Sequence, residues 1–397
     1  MPSTPSSARQ LAQARWALLY GNFAIGCGVM VAAGAMNDLL RDLHISLAQG
    51  GQLISWPAVV IAVCAPLLAA LVSGADRRRL LTWSLLWFGL GHAVSALVTD
   101  FDQLLPLRTL AVLGAAVFTP QAAAAIGVMA PPEQRGRAIT FIFLGWSLSS
   151  VLGMPINAWL SDTQGWRAAF GLVALLSVLG AAWVWRAMPD GVRPAALSRA
   201  SWAQVFTHPA LLAILLVTAL SSAGQFTLFG YLAPYYRQAL SADALQISML
   251  FLWFGAVSVL GNVLMVQRID RVGASRAVLV ALAAMAMSLL LWPLAGTVAT
   301  MALVLVPWAL GCFAANSAQQ ARLSLAAPAL TPALIALNTS GMYLGQALGA
   351  ASGGAVEVRF GFAQVHWAGL AWLLLAMVVS VWGAGRLLRQ PVGPGHV

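Results

Sequence analysis

Lysine is absent: all 21 basic residues of this 397-residue chain are arginine. Acid is scarcer still, with 11 Asp and Glu in total, and none of them falls in the middle of an apolar run. Only 8% of the residues are charged, against roughly 25% in soluble domains, so a solvated surface cannot be assembled. Cys27, Cys64 and Cys312 lie in apolar runs without paired spacing, which argues against a disulfide framework and a cysteine metal site. The five histidines are scattered, and no paired acids, His-rich cluster or Ser–His pair marks a catalytic set. No metal and no cofactor is implied. A net charge of +10 and a pI near 10.9 invite a nucleic-acid reading. A basic patch needs a soluble face to sit on, so no nucleic-acid partner is expected.

What fills the chain is apolar: 60% of it is hydrophobic and the mean hydropathy is +0.84. Runs long enough for a bilayer core of roughly 30 Å recur twelve times, near 16–37, 47–73, 80–98, 104–129, 138–160, 168–188, 210–231, 246–266, 277–295, 300–321, 334–356 and 364–385. The chain therefore reads as an all-α, multi-pass membrane protein whose surroundings are lipid. For the first run a cleaved signal peptide is the alternative, given "VAAGA" at 31–35, although the run exceeds a usual signal core.

Asp76, Arg77, Arg78 and Arg79 stand together between two greasy flanks. Each such charge at a helix centre costs roughly 2.5–3.5 kcal/mol, so the four must form a tight loop between the second and third spans. Arg9, Arg15, Arg135, Arg137, Arg186, Arg193, Arg199, Arg268, Arg271, Arg276, Arg322, Arg386 and Arg389 share that side, while Arg41, Arg108, Arg167, Arg237 and Arg359 fall on the other side or at the outer ends of spans. The richer side is cytoplasmic by the positive-inside rule, which places both termini in the cytoplasm.

The longest hydrophilic stretch, beginning at 188, divides the spans six and six. It gives an N-terminal bundle at 1–187, a cytoplasmic linker at 188–209 and a C-terminal bundle at 210–397. The halves echo each other at an offset near 200: Gly145, Ser149, Gly153 and Asn157 lie four apart in the fifth span, and Gly345, Gly349, Gly353 and Glu357 in the eleventh. Small residues on one face let helices approach closely in lipid. "RIDRVGASR" at 268–276 likewise answers "ADRRR" at 75–79. Two six-helix halves related as parallel repeats are the architecture of a rocking transporter.

The same residues carry a resemblance. Asp76 and Arg77, with the basic Arg78 and Arg79, and in the second half Asp270, Arg271, Gly273 and Arg276, resemble the loop signature of the major facilitator superfamily. "VLGMPINAW" at 151–159 is similar to its antiporter motif through Gly153 and Pro155, with Asn157 where glycine is usual. "FTLFGYLAPYYRQ", "FGAVSVLGN", "QQARLSLAAP" and "LNTSGMYLGQALGAASGG" look like the drug:proton antiporter, arabinose-efflux-like branch. The resemblance implies twelve transmembrane helices in two pseudo-symmetric bundles, a monomer in a bacterial inner membrane, and gating by Asp76, Arg77, Arg78, Arg79, Asp270, Arg271, Gly273, Gly153 and Pro155. Charges that only fix orientation are the plainer reading of the loop clusters.

Inside the spans the polar inventory is mostly amide. Asn22, Gln121, Gln225, Asn316, Gln319 and Gln320 fall in the first, fourth, seventh and tenth spans, which line the substrate cavity in proteins this chain resembles; Tyr343 and Gln346 form a shorter stripe in the eleventh. Each amide serves either a cavity or an interhelical hydrogen bond. Arg108 is the one arginine placed inside a span, and such a charge is functional by default unless it snorkels to the interface. His92 reads as a packed helix residue. Proton coupling, which the resemblance implies, falls to Arg108, Asp38 or Glu357, although Glu357 has Arg359 close by. The expectation is a secondary transporter exporting a small solute such as a drug, sugar or nucleoside, with protons as co-substrate. An importer or uniporter is the alternative, and a membrane enzyme or receptor the alternative of another class.

Overall fold

The computed structural model describes residues 8–389 apart from 73, 132–133, 194–198 and 328–329. Helix is the regular structure throughout, and no strand occurs among the described residues. The chain divides into two compact units, 1–45 with 63–196 and 46–62 with 197–397.

In the first unit, α1 (Ala8–Gly34) runs into the short α2 (Met36–Asp42). The later part of α3 (Leu47–Leu71) leads to α4 (Arg77–Ser95), α5 (Phe101–Ala111), α6 (Leu113–Met129), α7 (Arg135–Leu148), α8 (Met154–Gln164) and α9 (Trp166–Ala187). Helix α1 packs on α7 and α9, and α4 packs on α9 and α6. The second unit takes the start of α3 together with α10 (Arg199–Thr207), α11 (Pro209–Phe229), α12 (Leu232–Ala239), α13 (Ala244–Val272), α14 (Ala274–Leu291), α15 (Val298–Ala326), α16 (Thr331–Phe360) and α17 (Phe362–Arg389). Here α11 packs on α16 and α17, and α14 on α17 and α15. These four pairings are the same in both units when each helix is matched to its counterpart at the offset near 200.

The division falls at 196–197, and 46–62 groups with the second unit. Within that grouping, Gly51 lies so close to the Tyr231 hydroxyl that a Cβ there would clash.

Sequence chemistry sets the helix ends. Asp76 and Asp100 cap α4 and α5 by accepting from the N–H groups of Arg79 and Gln103, and Asp243 with Gln246 forms a capping box on α13. Three helix-to-helix turns use a glycine at positive φ, where a side chain is strained: Gly165 before α9, Gly273 before α14 and Gly361 before α17, at +92°, +83° and +77°. Between α7 and α8 the helix widens into a π turn at Ser149–Gly153, just before Pro155, which has no N–H to give to the regular ladder.

Ten helices among the described residues are long and apolar enough to cross a membrane, not the twelve expected. The two remaining expected spans coincide with α4 and α16. Arg78, Arg79 and His92 in α4, and the run of Asn, Thr, Ser, Gly and Gln in α16, dilute their hydropathy. Along the outward faces large apolar side chains such as Trp83, Leu303 and Val378 stand exposed, as lipid contact requires and water would penalise.

Candidate functional site

Within the first unit the polar core is built around Asn22, which is fully buried on α1. Its Oδ1 accepts from the Thr119 hydroxyl of α6 at 3.0 Å, and its Nδ2 donates to the Ile142 carbonyl of α7 at 3.0 Å. Both ends of the amide are thus engaged in tying three helices. On the next turns of α1, Asn157 donates to the Cys27 carbonyl at 3.1 Å, and Gly153 leaves space for the Cys27 sulfur. Pro155 follows at the start of α8. Gln121 is buried on α6.

Arg108 of α5 is buried with 1% of its surface exposed. Its guanidinium donates to the carbonyls of Gly28 at 3.2 Å and Val29 at 3.0 Å and lies 5.7 Å from the centroid of the Phe170 ring. This is an inward-pointing cation, not one snorkelling outwards. His92 packs beside it between Phe88 and Phe170, with Nδ1 at 2.8 Å from the Phe88 carbonyl.

Asp38 is engaged elsewhere than at Arg108. One oxygen accepts from the Trp166 N–H that opens α9, and the other pairs with Arg41. Asp42, one turn on, accepts from the Trp166 indole at 2.8 Å and pairs with Arg167, whose other nitrogen donates to the Val98 carbonyl at 3.0 Å. These bonds, the indole's first, hold the Asp42 carboxyl below its usual value.

At the 76–79 turn, Asp76 caps α4 and accepts from the Gly191 N–H. Arg77 is buried and donates to the Val72 and Ala75 carbonyls at 3.0 and 2.7 Å. Arg78 lies over the Trp185 ring, donates to its carbonyl at 2.7 Å and pairs with Asp190 at 2.8 Å. Arg79 supplies the capped N–H. Of the matching loop in the second unit, Arg271 is exposed and Gly273 takes the positive φ. The side chain of Asp270 lies outside the described residues.

The second unit has its own triangle, and the amide has moved. The Thr218 hydroxyl of α11 donates to Asn338 Oδ1 on α16, and Asn338 Nδ2 donates to Asn316 Oδ1 on α15 at 3.3 Å. Helices α11, α15 and α16 are the counterparts of α1, α6 and α7, so the bridging amide sits on α16 where the first unit has it on α1. Relative to the crossings of Gly145 on Leu19 and Gly345 on Ala219, the second triangle lies about one helical turn nearer the starts of α11 and α16. Gln319, buried, donates to the Ile214 carbonyl. Asn316, Gln320 and Gln225 are half-buried, while Tyr343 and Gln346 are buried. Glu357 is half-buried and forms no ion pair with Arg359 among the described residues.

Several of these residues were not foreseen from sequence. Arg322, expected beyond its helix, lies inside α15, buried, with both terminal nitrogens on Ser380 at 2.9 Å. Arg108 is therefore not alone as an arginine buried in a helix. Thr119, Thr218 and Asn338 gave no signal beyond being short polar residues in apolar helices. Asn338 did stand within "LNTSGMYLGQALGAASGG", but as part of a family likeness.

Residues 18–237, just over half of the chain, match the Major Facilitator Superfamily. The inner membrane transport protein YdhP of Escherichia coli K12 is 29% identical over 91% of this chain and 94% of its own. A chloramphenicol resistance protein of Streptomyces lividans is 34% identical over 60% of this chain and 62% of its own. Among solved structures, a bacterial homolog of the human lysosomal transporter Spinster, inward-facing and unoccupied, has a TM-score of 0.78 at 18% identity, covering 98% of this chain and all of that one. A D-xylose-proton symporter has a TM-score of 0.74 at 17% identity, covering 93% and 97%.

Proposed function

The chain belongs to the Major Facilitator Superfamily, and from that premise we propose that this secondary transporter exports a small, uncharged organic solute from a bacterium in exchange for protons. It is a multi-pass membrane protein and a transporter, not an enzyme. The proposal adds direction, solute class and coupling. Helices α4 and α16 complete twelve spans in two halves, 1–187 and 210–397, which rock about the solute as a monomer in the inner membrane, with both termini in the cytoplasm.

The observation that carries the solute class is the polar content of the helices. Amides and hydroxyls predominate, and Arg108 and Arg322, buried well inside their helices, are turned onto carbonyl and hydroxyl oxygens of neighbouring helices. Neutral solutes with hydrogen-bonding groups suit such an interior. Export is favoured by the resistance relative, which makes chloramphenicol the first probe. Asp76 and Asp270 would steady the cytoplasmic gate. Asp76 supports this by joining the start of α4 to Gly191, so a movement of the linker pulls on the loop.

Radiolabelled chloramphenicol uptake into everted vesicles, with and without an imposed pH gradient, tests the proposal. Accumulation that follows the gradient is expected. Uptake into right-side-out vesicles alone would make the chain an importer, with D-xylose as the next probe. Flux indifferent to the gradient would make it a uniporter. Single cysteines in place of Ser198 and Gln103, in a background lacking the native three, should label from opposite faces; labelling of both from outside would reject the orientation.

A further inference from the structure

The triangle in the second unit does more than hold helices, because its hydrogen bonds run in one direction. Each member can donate or accept, so the direction is set at one end. The Ile214 carbonyl, which is the backbone acceptor one turn before Thr218, already receives the Gln319 amide. The Thr218 hydroxyl therefore donates to Asn338 Oδ1. With its oxygen taken, Asn338 turns its Nδ2 to Asn316 and meets the Asn316 oxygen. Asn316 is then left with its Nδ2 turned away from the triangle. That nitrogen has no partner among the described residues, and the residue is half-buried, unlike the fully enclosed Asn338. An amide free to rotate offers a donor or an acceptor equally well. This one offers donors.

We propose that Thr218 and Asn338 are positioning residues that lock Asn316 as a hydrogen-bond donor, so that the transporter selects solutes carrying an uncharged oxygen acceptor at that point. The inference rests on the reading of this chain as a solute exporter and assigns the chemistry of one contact within it. Gln320, one turn further along α15 and also half-buried, extends the same polar stripe. A solute whose only groups there are donors would face N–H against N–H and be rejected, since an unpaired buried polar group is costly. Among the described residues the first unit has no equivalent device: the Asn22 amide ends on a backbone carbonyl, and no third side chain there is oriented by it.

Two measurements separate the orientation from the transport reading. The first uses purified protein in detergent and needs no solute. Thr218→Val should lower the melting temperature, and should do so equally in an Asn338→Asp background, because a carboxylate can only accept from the hydroxyl. In an Asn338→Leu background the same change should have no further effect. If Thr218→Val loses its effect in the Asn338→Asp background, the hydroxyl is the acceptor and the proposal is overturned.

The second measurement is chloramphenicol transport in proteoliposomes. Asn316→Asp removes the donors, and Asn338→Asp forces the Asn316 amide to turn round. Each should raise KM by about fivefold or more, the value of one neutral hydrogen bond, with the maximal rate held within about twofold. An unchanged KM in both, in protein that melts normally, overturns the assignment of Asn316. If the native protein does not move chloramphenicol at all, the choice of solute fails, while the melting series still decides the orientation.

Discussion

Arg108 donates to the backbone oxygen of Val29 at 3.0 Å, joining α5 to the later part of α1. A cation buried against carbonyls and the Phe170 ring has given up its water. It persists where the cation itself is needed. Transport should therefore be abolished in Arg108→Ala. Arg108→Lys keeps the charge but has one nitrogen to share between two carbonyls, and should keep part of the flux in proteoliposomes. Normal flux in Arg108→Ala would reduce the residue to a tie between helices.

Asp42 predicts a pH dependence of stability. Its folded-state carboxyl is held below the usual value by the Trp166 indole and then by Arg167. A depressed acid stabilises the fold above its unfolded value of about 4 and loses that contribution as the pH falls through the folded one. Asp42→Asn should lower the melting temperature at pH 7, and the gap from the native protein should close below about pH 4. The effect should be small because the pair is partly exposed. A gap that widens in acid would reverse the assignment.

Gly361 turns between α16 and α17 at a φ of +77°. Nothing stands near the position a Cβ would occupy, so the cost of Gly361→Ala is backbone strain alone, about 1–2 kcal/mol. A lower melting temperature with unchanged KM is expected. Gly51→Ala should cost more, because its Cβ meets the Tyr231 hydroxyl.

The two triangles predict a rescue. Asn22→Thr removes the donor to the Ile142 carbonyl and should cost on the order of 1 kcal/mol. Adding Ile142→Asn puts the amide on α7, the counterpart of the helix that carries it in the second unit, and should recover much of the lost melting temperature. A double variant that melts below both singles would show that the two triangles are not interchangeable.

Helix positions were largely legible in the sequence because a bilayer demands long apolar runs, and ten such runs are helices of the expected length. The spans that fall short, α4 and α16, carry arginines, histidine and amides, and there composition is a poor guide to path. The site was less legible. Asp38 could be seen as an acid at a helix end, but its partner, the N–H of Trp166, is 128 residues away, and nothing in a run of apolar residues marks which backbone group lies opposite. Asn22 and Gln319 were visible as amides in apolar helices, yet whether an amide faces a solute or a neighbouring carbonyl depends on crossing points that spacing does not reveal. Thr218 was invisible for another reason: a hydroxyl in a helix usually bonds its own preceding turn, and only the occupation of Ile214 by Gln319 directs it outward.

The displaced amide also bears on how the two halves can diverge from a shared ancestor. Aligned at the offset of 200 that pairs Gly145 with Gly345, Asn22 faces Ser222 and Ile142 faces Met342, and the displaced amide would be scored as two unrelated changes. Counted as bonds, nothing has been lost: three helices are still joined through one carboxamide. What is inherited there is a connection, and either of two helices can supply it. A hybrid that joined α1 of the first half to a copy of α16 would carry the amide twice, and one that joined α11 to a copy of α7 would carry none.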